Sequence, residues 1–306
     1  MARIFILGAG NPVPSAETFG SSYAIRVGDE HIMFDCGPAT THKLVKAGLQ
    51  PTQIDYLFFT HHHFDHDVDY PCFLLTRWDQ SIGDERELEV FGPTLTEHLT
   101  HRLLDETEGA FAHDWIARIN HPLSMGVHSN RGGTLPRKPP SVLATDIGAD
   151  EVIEGKSWQI RTARADHVEP WLDSLAYRLD TDEGSFVVTG DTRPCRSVVD
   201  LARDVDVMLC MCIDVQSDID GTVGADYVCG STAAGKMAHD AGAQKLVLVH
   251  QGAPLRTPGA MERALGDVAA VYEGQVIWGR ELDVFRCVVR SWPLAHDEVN
   301  AEAQAP

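Results

Sequence analysis

Four potential metal ligands lie within six residues of this chain, in the segment His61-His-His-Phe-Asp-His66. The segment supplies His61, His63, Asp65 and His66, and zinc and similar divalent ions bind imidazole nitrogen and carboxylate oxygen. Residues two apart in an extended segment point the same way, so His61 and His63 can hold one ion while Asp65 and His66 turn toward a second. A histidine-rich surface turn is the alternative. Four ligand types in this order, directly after a buried strand, favour a metal site.

Three further residues of ligand type follow predicted strands later in the chain: His167, Asp191 and His250. A strand end in a packed sheet holds a side chain rigidly, as a metal site requires. A single histidine or aspartate in such a place more often caps an element or forms an ordinary hydrogen bond. Three of them together with the first segment favour a site of seven ligands.

The elements that position these residues alternate short strands with helices, which predicts an α/β fold. Strands in both halves with helices between them indicate two packed sheets covered outside by helices. The predicted folded domain covers residues 1–294, and a polar, flexible tail covers residues 295–306. The predicted strands are 3–7, 23–27, 31–35, 55–60, 88–91, 158–163, 175–179, 186–189, 205–210 and 245–249, and the helices lie near 39–47, 67–78, 94–104, 197–203, 231–241 and 259–268.

Residues 113–140 stand apart because they are rich in glycine and proline, which predicts a long loop inserted like a lid. From Trp115 to Thr145 no residue is acidic. We therefore expect an anionic substrate to contact the aromatic and basic side chains of this segment, although a solvated loop is the alternative. The candidates for substrate binding are Trp115, Arg131, Arg137 and Lys138.

Composition indicates which partners and which cellular compartment to expect. The 306 residues carry a net charge of −20, which disfavours a polyanion such as nucleic acid and favours a small-molecule substrate. The seven cysteines form no CxxC pair, so buried free thiols in a reducing, cytoplasmic setting are expected. Since Met1-Ala2-Arg3 leads directly into a run of strand length, we expect no signal peptide, and we expect no membrane span because no apolar run approaches about 20 residues. A homodimer is also expected.

The order His61-x-His63-x-Asp65-His66, with a later histidine, aspartate and final histidine, resembles the metallo-β-lactamase superfamily across nearly the whole chain. The resemblance implies an αβ/βα sandwich of two mixed β-sheets flanked by helices, with two divalent ions at one edge. The ions would be zinc, with manganese or iron as alternatives. It also implies roles for the seven ligands: His61, His63 and His167 for the first metal, Asp65, His66 and His250 for the second, and Asp191 as the bridge, with Asp65 and Asp191 catalytic.

Within the superfamily, four segments are similar to the tRNase Z and arylsulfatase branch. They are 7–12, 34–37, 91–93 and 190–195. The tRNase Z enzymes insert a long arm after the third histidine motif, but here only a few residues separate Leu179 from Phe186. Those enzymes also carry a His-Glu pair and a further histidine, where this chain has Cys210-Met211 and Cys229. These departures make tRNA processing the alternative function.

The expected reaction is hydrolysis. Two ions sharing a water lower its pKa to about 7, so that the water can attack at neutral pH. We expect an ester, phosphodiester, sulfate ester or lactone as substrate, and Asp35, Asp166 and His42 are candidates for orienting the ligands. A catalytically retired metal-binding module is the alternative from another class. It predicts missing ligands, and none is missing.

Overall fold

Short apolar runs of strand length occur in both halves of the chain, and they assemble into two seven-stranded sheets. The computed structural model describes residues 2–286. The sheets pack face to face and carry helices on their outer faces, which confirms the predicted fold class.

The first sheet combines antiparallel and parallel strands. Its strands are β1 (Arg3–Gly8), β2 (Ser22–Val27), β3 (Glu30–Phe34), β4 (Tyr56–Phe58), β5 (Leu88–Gly92), β6 (Val142–Asp146) and β14 (Val284–Arg286). They lie in the order β14-β1-β2-β3-β4-β5-β6, and the run from β3 to β6 is parallel. The connections that leave the carboxyl ends of these parallel strands therefore lie along one edge of the sheet.

The second sheet repeats this arrangement. Its strands are β7 (Val152–Glu154), β8 (Trp158–Arg164), β9 (Leu175–Thr181), β10 (Gly184–Val188), β11 (Val207–Met211), β12 (Lys245–Val249) and β13 (Gln275–Trp278). The order is β13-β12-β11-β10-β9-β8-β7, with β10 to β13 parallel. The carboxyl ends of β10, β11 and β12 again meet at one edge. We use the name ligand edge for this edge together with the carboxyl end of β4.

Helices cover both sheets. They are α1 (Thr40–Lys46), α2 (Phe64–Asp67), α3 (Tyr70–Gln80), α4 (Thr96–Leu104), α5 (Ala112–Asn120), α6 (Pro122–Asn130), α7 (Arg196–Leu201), α8 (Gln216–Ile219), α9 (Ser231–Ala241) and α10 (Ala260–Ala269). The core between the sheets contains an aromatic cluster in which Phe34, Phe58 and Tyr177 have ring centroids 5.5–5.7 Å apart. Such pairs contribute about 0.5–1.5 kcal/mol each beyond the area they bury.

The largest difference from the sequence prediction is in residues 113–140, whose first part is helical rather than a loop. Helices α5 and α6 fill residues 112–130, and Trp115 is buried. Pro122 begins α6, where its missing N–H costs no hydrogen bond. The glycine and proline residues that suggested a loop are concentrated after this helix pair, so composition averaged over the whole segment was misleading.

Smaller predictions have mixed outcomes. Four strands were missed, β6, β7, β13 and β14, because several of their residues are exposed and break the apolar pattern. Six cysteines of the described range are free, but Cys72 is exposed rather than buried. Within the same range no helix is long and apolar enough to cross a membrane. The predicted tail at 295–306 lies outside the described residues.

Candidate metal centre

The fold brings all seven predicted ligands to the ligand edge. Their ligand atoms form three groups, each within 4.8 Å: His61 with His63 and His167, His61 with His66 and Asp191, and Asp65 with His66 and His250. The first and last groups have the same members as the two ligand sets named above, and Asp191 belongs to the group between them. All of these residues except His63 are buried, so the site is built into the protein rather than displayed on its surface.

The seven ligands follow the ends of four strands. The first four follow β4, His167 follows β8, Asp191 follows β10, and His250 comes directly after β12. Residue His250 has a φ of 50°, in the left-handed region that costs a non-glycine residue about 1–2 kcal/mol. In this conformation the imidazole reaches the carboxylates of Asp65 and Asp191.

The ring nitrogens face one another at short range. His61 Nε2 lies 3.0 Å from His63 Nδ1, which in turn lies 3.3 Å from His167 Nε2. On the other side, His250 Nε2 lies 3.3 Å from Asp65 Oδ2 and 3.1 Å from Asp191 Oδ2. A neutral imidazole has one proton for two nitrogens, so lone pairs must converge in the middle of this cluster. A cation is the natural partner for such convergence.

Unpaired buried atoms give the same indication. His66 Nε2 and Asp191 Oδ1 are buried and have no hydrogen-bond partner among the described residues, although they lie 3.4 Å apart. A buried polar atom left unpaired costs about 1–3 kcal/mol. A divalent ion between such atoms would remove that cost, so the donor set fits two divalent ions of the kind that histidine and aspartate bind.

A layer behind the ligands fixes which nitrogen each imidazole presents. The hydroxyl of Thr60 lies 2.9 Å from Asp35 Oδ2 and 3.1 Å from His61 Nδ1. Asp35 also lies 2.8 Å from His66 Nδ1. With Thr60 donating to Asp35, both Nδ1–H groups find acceptors and both Nε2 atoms are left for metal. Thr60 was not predicted, although its position directly before His61 could have indicated it.

Electrostatics support ligand forms at His61 and Asp191. Burial holds the pKa of His61 well below its usual range, and His66 acts in the same direction, so the imidazole is neutral. Burial alone would raise the pKa of Asp191, but His250 and His66 outweigh it and hold that pKa well below its usual value. For His66, burial is outweighed by Asp35 and Asp191, which raise its pKa.

Glycines allow the backbone to close around Asp65. A Cβ atom at Gly37 would lie 2.2 Å from the Asp65 carbonyl oxygen, and one at Gly20 would lie equally close. Real Cβ atoms do not approach oxygen this closely, so both positions require glycine. Gly20 and Gly37 thus lie side by side against the backbone of the ligand-bearing turn.

The four proposed substrate-binding residues lie elsewhere. The Trp115 indole donates to the Leu104 carbonyl, and Trp78 donates to the carbonyl of Lys138. Arg131 and Arg137 both contact Asp79 near the end of α3, and Arg137 also stacks on Trp78 at 3.8 Å. Asp79 is nine residues along the helix from Tyr70, roughly 14 Å. These side chains hold α5 and α6 against α3, and none of their described contacts reaches a ligand.

The other candidates divide in the same way. Asp35 is in the layer described above, whereas Asp166 accepts from Arg193 Nε at 2.7 Å and His42 is exposed on α1. His62 is the histidine of segment 61–66 that is not among the seven ligands. Its Nε2 turns away from them and lies 2.8 Å from Thr96 Oγ1. Of the three residues proposed to orient ligands, only Asp35 contacts one.

Comparison with known proteins agrees with this geometry. The family description "Metallo-beta-lactamase superfamily" matches residues 16–211, more than half of the chain. The chain belongs to the metallo-beta-lactamase superfamily. It is a metal-dependent hydrolase of that superfamily, which confirms the enzyme class expected from the sequence.

Relatives of this metallo-beta-lactamase superfamily member extend over nearly its whole length. A Ribonuclease Z of Mycobacterium bovis is 28% identical over 293 residues, covering 92% of this chain and 97% of the relative. The solved fold of YhfI, a metallo-beta-lactamase fold protein from Bacillus subtilis, matches with a TM-score of 0.70 and 18% identity over 93% of this chain and 98% of that one. The short form of human tRNase Z matches with a TM-score of 0.64 and 17% identity over 94% and 100%.

These relatives correct the expected partner. The sequence analysis favoured a small-molecule substrate and disfavoured nucleic acid, and this expectation is wrong because the matching relative is named as a ribonuclease. The net charge was a poor guide to the substrate, because at physiological ionic strength salt screens charges that lie more than about 8 Å from a bound molecule. The charge of −20 is a sum over the chain and does not describe the ligand edge.

The departures from tRNase Z are visible in the superfamily fold. Strands β9 and β10 are joined by a tight hairpin in which Thr181 pairs with Gly184, so no arm is inserted there. Met211 Sδ accepts the Thr192 backbone N–H at 3.0 Å, directly behind Asp191. Cys210 and Cys229 are fully buried in the outer core. The arm and the side chains that the sequence analysis associated with tRNase Z enzymes are therefore absent from these described positions.

Proposed function

We propose that this chain is a two-metal phosphodiester hydrolase that cuts RNA in the manner of ribonuclease Z. The observation that carries the proposal is the continuous pair of ligand groups joined by Asp191, in a chain that matches a Ribonuclease Z over 92% of its length. Two metal sites side by side suit phosphodiester hydrolysis, in which the attacking oxygen and the leaving oxygen both need charge neutralisation.

The proposed ions are zinc. His61, His63 and His167 would hold one, and Asp65, His66 and His250 the other, with Asp191 between them. When bound, the ions would supply an activated water at neutral pH and neutralise charge that develops on the phosphate. Three imidazoles around the first position and two carboxylates around the second match the donors that zinc accepts.

The chain's own residues set the geometry of this reaction. Asp35 and Thr60 fix the imidazoles of His66 and His61 from behind, so the ligands need little rearrangement on substrate binding. Phe64 is the one exposed residue of the ligand segment 61–66, and His63 beside it is half-buried. The phosphate therefore has to approach from the side of β4 and α2, where the ligand edge opens to solvent.

The test is cleavage of a precursor tRNA with a short 3′ extension by the full chain reconstituted with zinc. We expect one endonucleolytic cut near the 3′ end, lost on chelation, restored by zinc, and absent in Asp191→Ala. Hydrolysis of bis(p-nitrophenyl) phosphate serves as a control for an assembled metal centre. A zinc-loaded chain that hydrolyses this aryl phosphodiester but leaves every RNA intact would contradict an RNA substrate.

A further inference from the structure

Three aromatic side chains are strongly exposed in residues 2–286, and all three lie on connections at the ligand edge. Trp171 is 84% exposed, Phe64 is 58% exposed and Tyr227 is 54% exposed. The remaining aromatic side chains of the described range are buried or half-buried. Single exposed apolar residues scattered over a surface need no explanation. Exposed aromatic side chains confined to one edge of the fold indicate a binding surface.

Two of the three are close in sequence to metal ligands, and the third follows β11, which lies between the ligand-bearing strands β10 and β12. Phe64 is the first residue of α2, between His63 and Asp65. Trp171 follows His167 in the β8–β9 connection, where its N–H donates to the Val168 carbonyl at 3.0 Å. Tyr227 lies in the connection from β11 to α9, which leaves the second sheet at the same edge as Asp191 and His250.

Arg193 ties these connections together next to the bridging aspartate. Its N–H donates to the Asp166 carbonyl at 3.0 Å, and its Nε donates to the Asp166 carboxylate at 2.7 Å. Its Nη1 reaches the Asp226 carbonyl at 3.4 Å. One side chain, two residues after Asp191, therefore links the segment that carries Trp171 with the segment that carries Tyr227.

The Trp171 connection is also anchored to the first sheet. The Leu175 N–H donates to the Thr60 carbonyl at 2.8 Å, and Thr94 Oγ1 donates to Asp173 at 2.6 Å. Trp171 thus projects from a segment that is fixed on both sides. The Trp171 ring makes little contact with the protein, so it contributes little to the core. The anchored loop holds the ring in solvent.

We propose that Phe64, Trp171 and Tyr227 form an aromatic rim on which unpaired bases of the RNA stack beside the bond to be cut. This inference rests on the proposed function and names the feature that holds the substrate. Aromatic side chains next to a catalytic centre can bind single-stranded nucleic acid by stacking on the flat faces of its bases. In a duplex those faces are covered by the neighbouring base pairs. The tight β9–β10 hairpin leaves room for no arm there, so binding has to come from the edge itself.

Charge near the rim supports stacking over phosphate contacts. Arg164 is paired with Glu169 and Asp173, and Arg193 is paired with Asp166. Guanidinium groups already paired with carboxylates gain little from a phosphate. Binding at the rim should therefore depend weakly on salt, with a slope of log K against log salt shallower than about −2, equivalent to fewer than about three phosphate contacts.

The experiment measures stacking without cleavage. The probe is an RNA hairpin with a single-stranded 3′ tail that ends at the expected cut, with 2-aminopurine in the last positions, added to the zinc-loaded full chain. We expect its fluorescence to be quenched on binding, and Trp171→Ala to weaken binding about tenfold with loss of quenching. Trp171→Phe should restore most of both. Leu123→Ala is the matched control, because Leu123 is 71% exposed on α6, away from the ligand edge.

Three results would overturn the rim. They are equal affinity and quenching in wild type and Trp171→Ala, equal binding of a tail whose bases are removed, and loss of self-association in Trp171→Ala with quenching intact, which would make the rim a dimer surface. The proposed function fails separately. If the chain binds and quenches the probe but never cuts precursor RNA, the stacking site stands and the assigned reaction is wrong.

Discussion

The Asp35 carboxylate, fully buried, accepts the Nδ1–H of His66 at 2.8 Å, across 31 residues of sequence. It also accepts the Thr60 backbone N–H at 2.7 Å. Burial raises the pKa of Asp35, while His66 and Thr60 act against that rise. One side chain thus joins the end of β3 to the segment after β4 and determines which nitrogen of His66 faces the metal centre.

Replacing Asp35 by Asn tests this relationship. The amide keeps the size of the side chain but cannot accept from both His66 and Thr60 as the carboxylate does. We expect zinc affinity to fall about 10–100-fold, as for other residues that orient a metal ligand. Competition with a chromogenic chelator measures the dissociation constant. Asp200→Asn is the control, since Asp200 pairs only with exposed Arg196 and Arg203. Equal zinc affinity in Asp35→Asn and wild type would contradict the orienting role.

Asp191→Ala should have a larger effect, because Asp191 contacts ligands of both outer groups. Its carboxylate lies 3.1 Å from His250 Nε2 and 3.8 Å from His167 Nε2. We expect turnover to fall more than about 100-fold, beyond the loss for a residue that only orients ligands. Metal analysis should show that one or both ions are held less tightly. Full metal content with full turnover would show that Asp191 does not bridge the two positions.

Gly37→Ala should disturb the centre without touching a ligand side chain. The added Cβ would lie 2.2 Å from the Asp65 carbonyl oxygen, so the turn that carries Asp65 has to move. We expect lower zinc content and a loss of about 1–3 kcal/mol in the free energy of unfolding, typical of overpacking. Gly126→Ala is the matched control, because nothing lies within 4 Å of its added Cβ. Similar behaviour of the two variants in metal analysis and thermal unfolding would refute this packing argument.

Asp79→Ala should destabilise the α5–α6 pair and leave the metal centre intact. Asp79 contacts Arg118, Arg131 and Arg137, and Arg137 is buried. A buried guanidinium that loses its carboxylate costs about 1–3 kcal/mol. We expect a lower Tm with unchanged zinc content and KM. A raised KM for RNA at unchanged Tm would instead place these arginines in substrate binding, as the sequence analysis expected.

Zinc itself should stabilise the fold, because the ligand atoms converge only when both sheets are packed. At zinc concentrations 100 times the dissociation constant, the expected gain in free energy of unfolding is about 2.7 kcal/mol. In a chain of this length, that gain corresponds to roughly 4 °C in Tm. Thermal unfolding with zinc and with a chelator measures the shift. An unchanged Tm would mean that the ligands do not bind zinc as a folded unit.

The sequence by itself determined the fold class and named the residues that the structure brings together at the ligand edge. Ligand type and position after a strand are local properties, so His61, Asp191 and His250 could be recognised one segment at a time. Apolar runs of strand length were equally readable, and β12 and α9 have their predicted bounds. The superfamily followed from the order of the ligands.

Tertiary structure alone decided how those residues are held and what surrounds them. The contact of Asp35 with His66 and the packing of Gly37 on Asp65 depend on β3 and β4 lying side by side. The basic segment 131–138 lies against α3 because Asp79 attracts its arginines, a contact that sequence separation of more than 50 residues conceals. Exposure of Trp171 likewise depends on what the rest of the chain leaves uncovered. Local patterns specify elements and ligand types, whereas burial, hydrogen-bond partners and distance from the metal centre arise only when distant segments pack together.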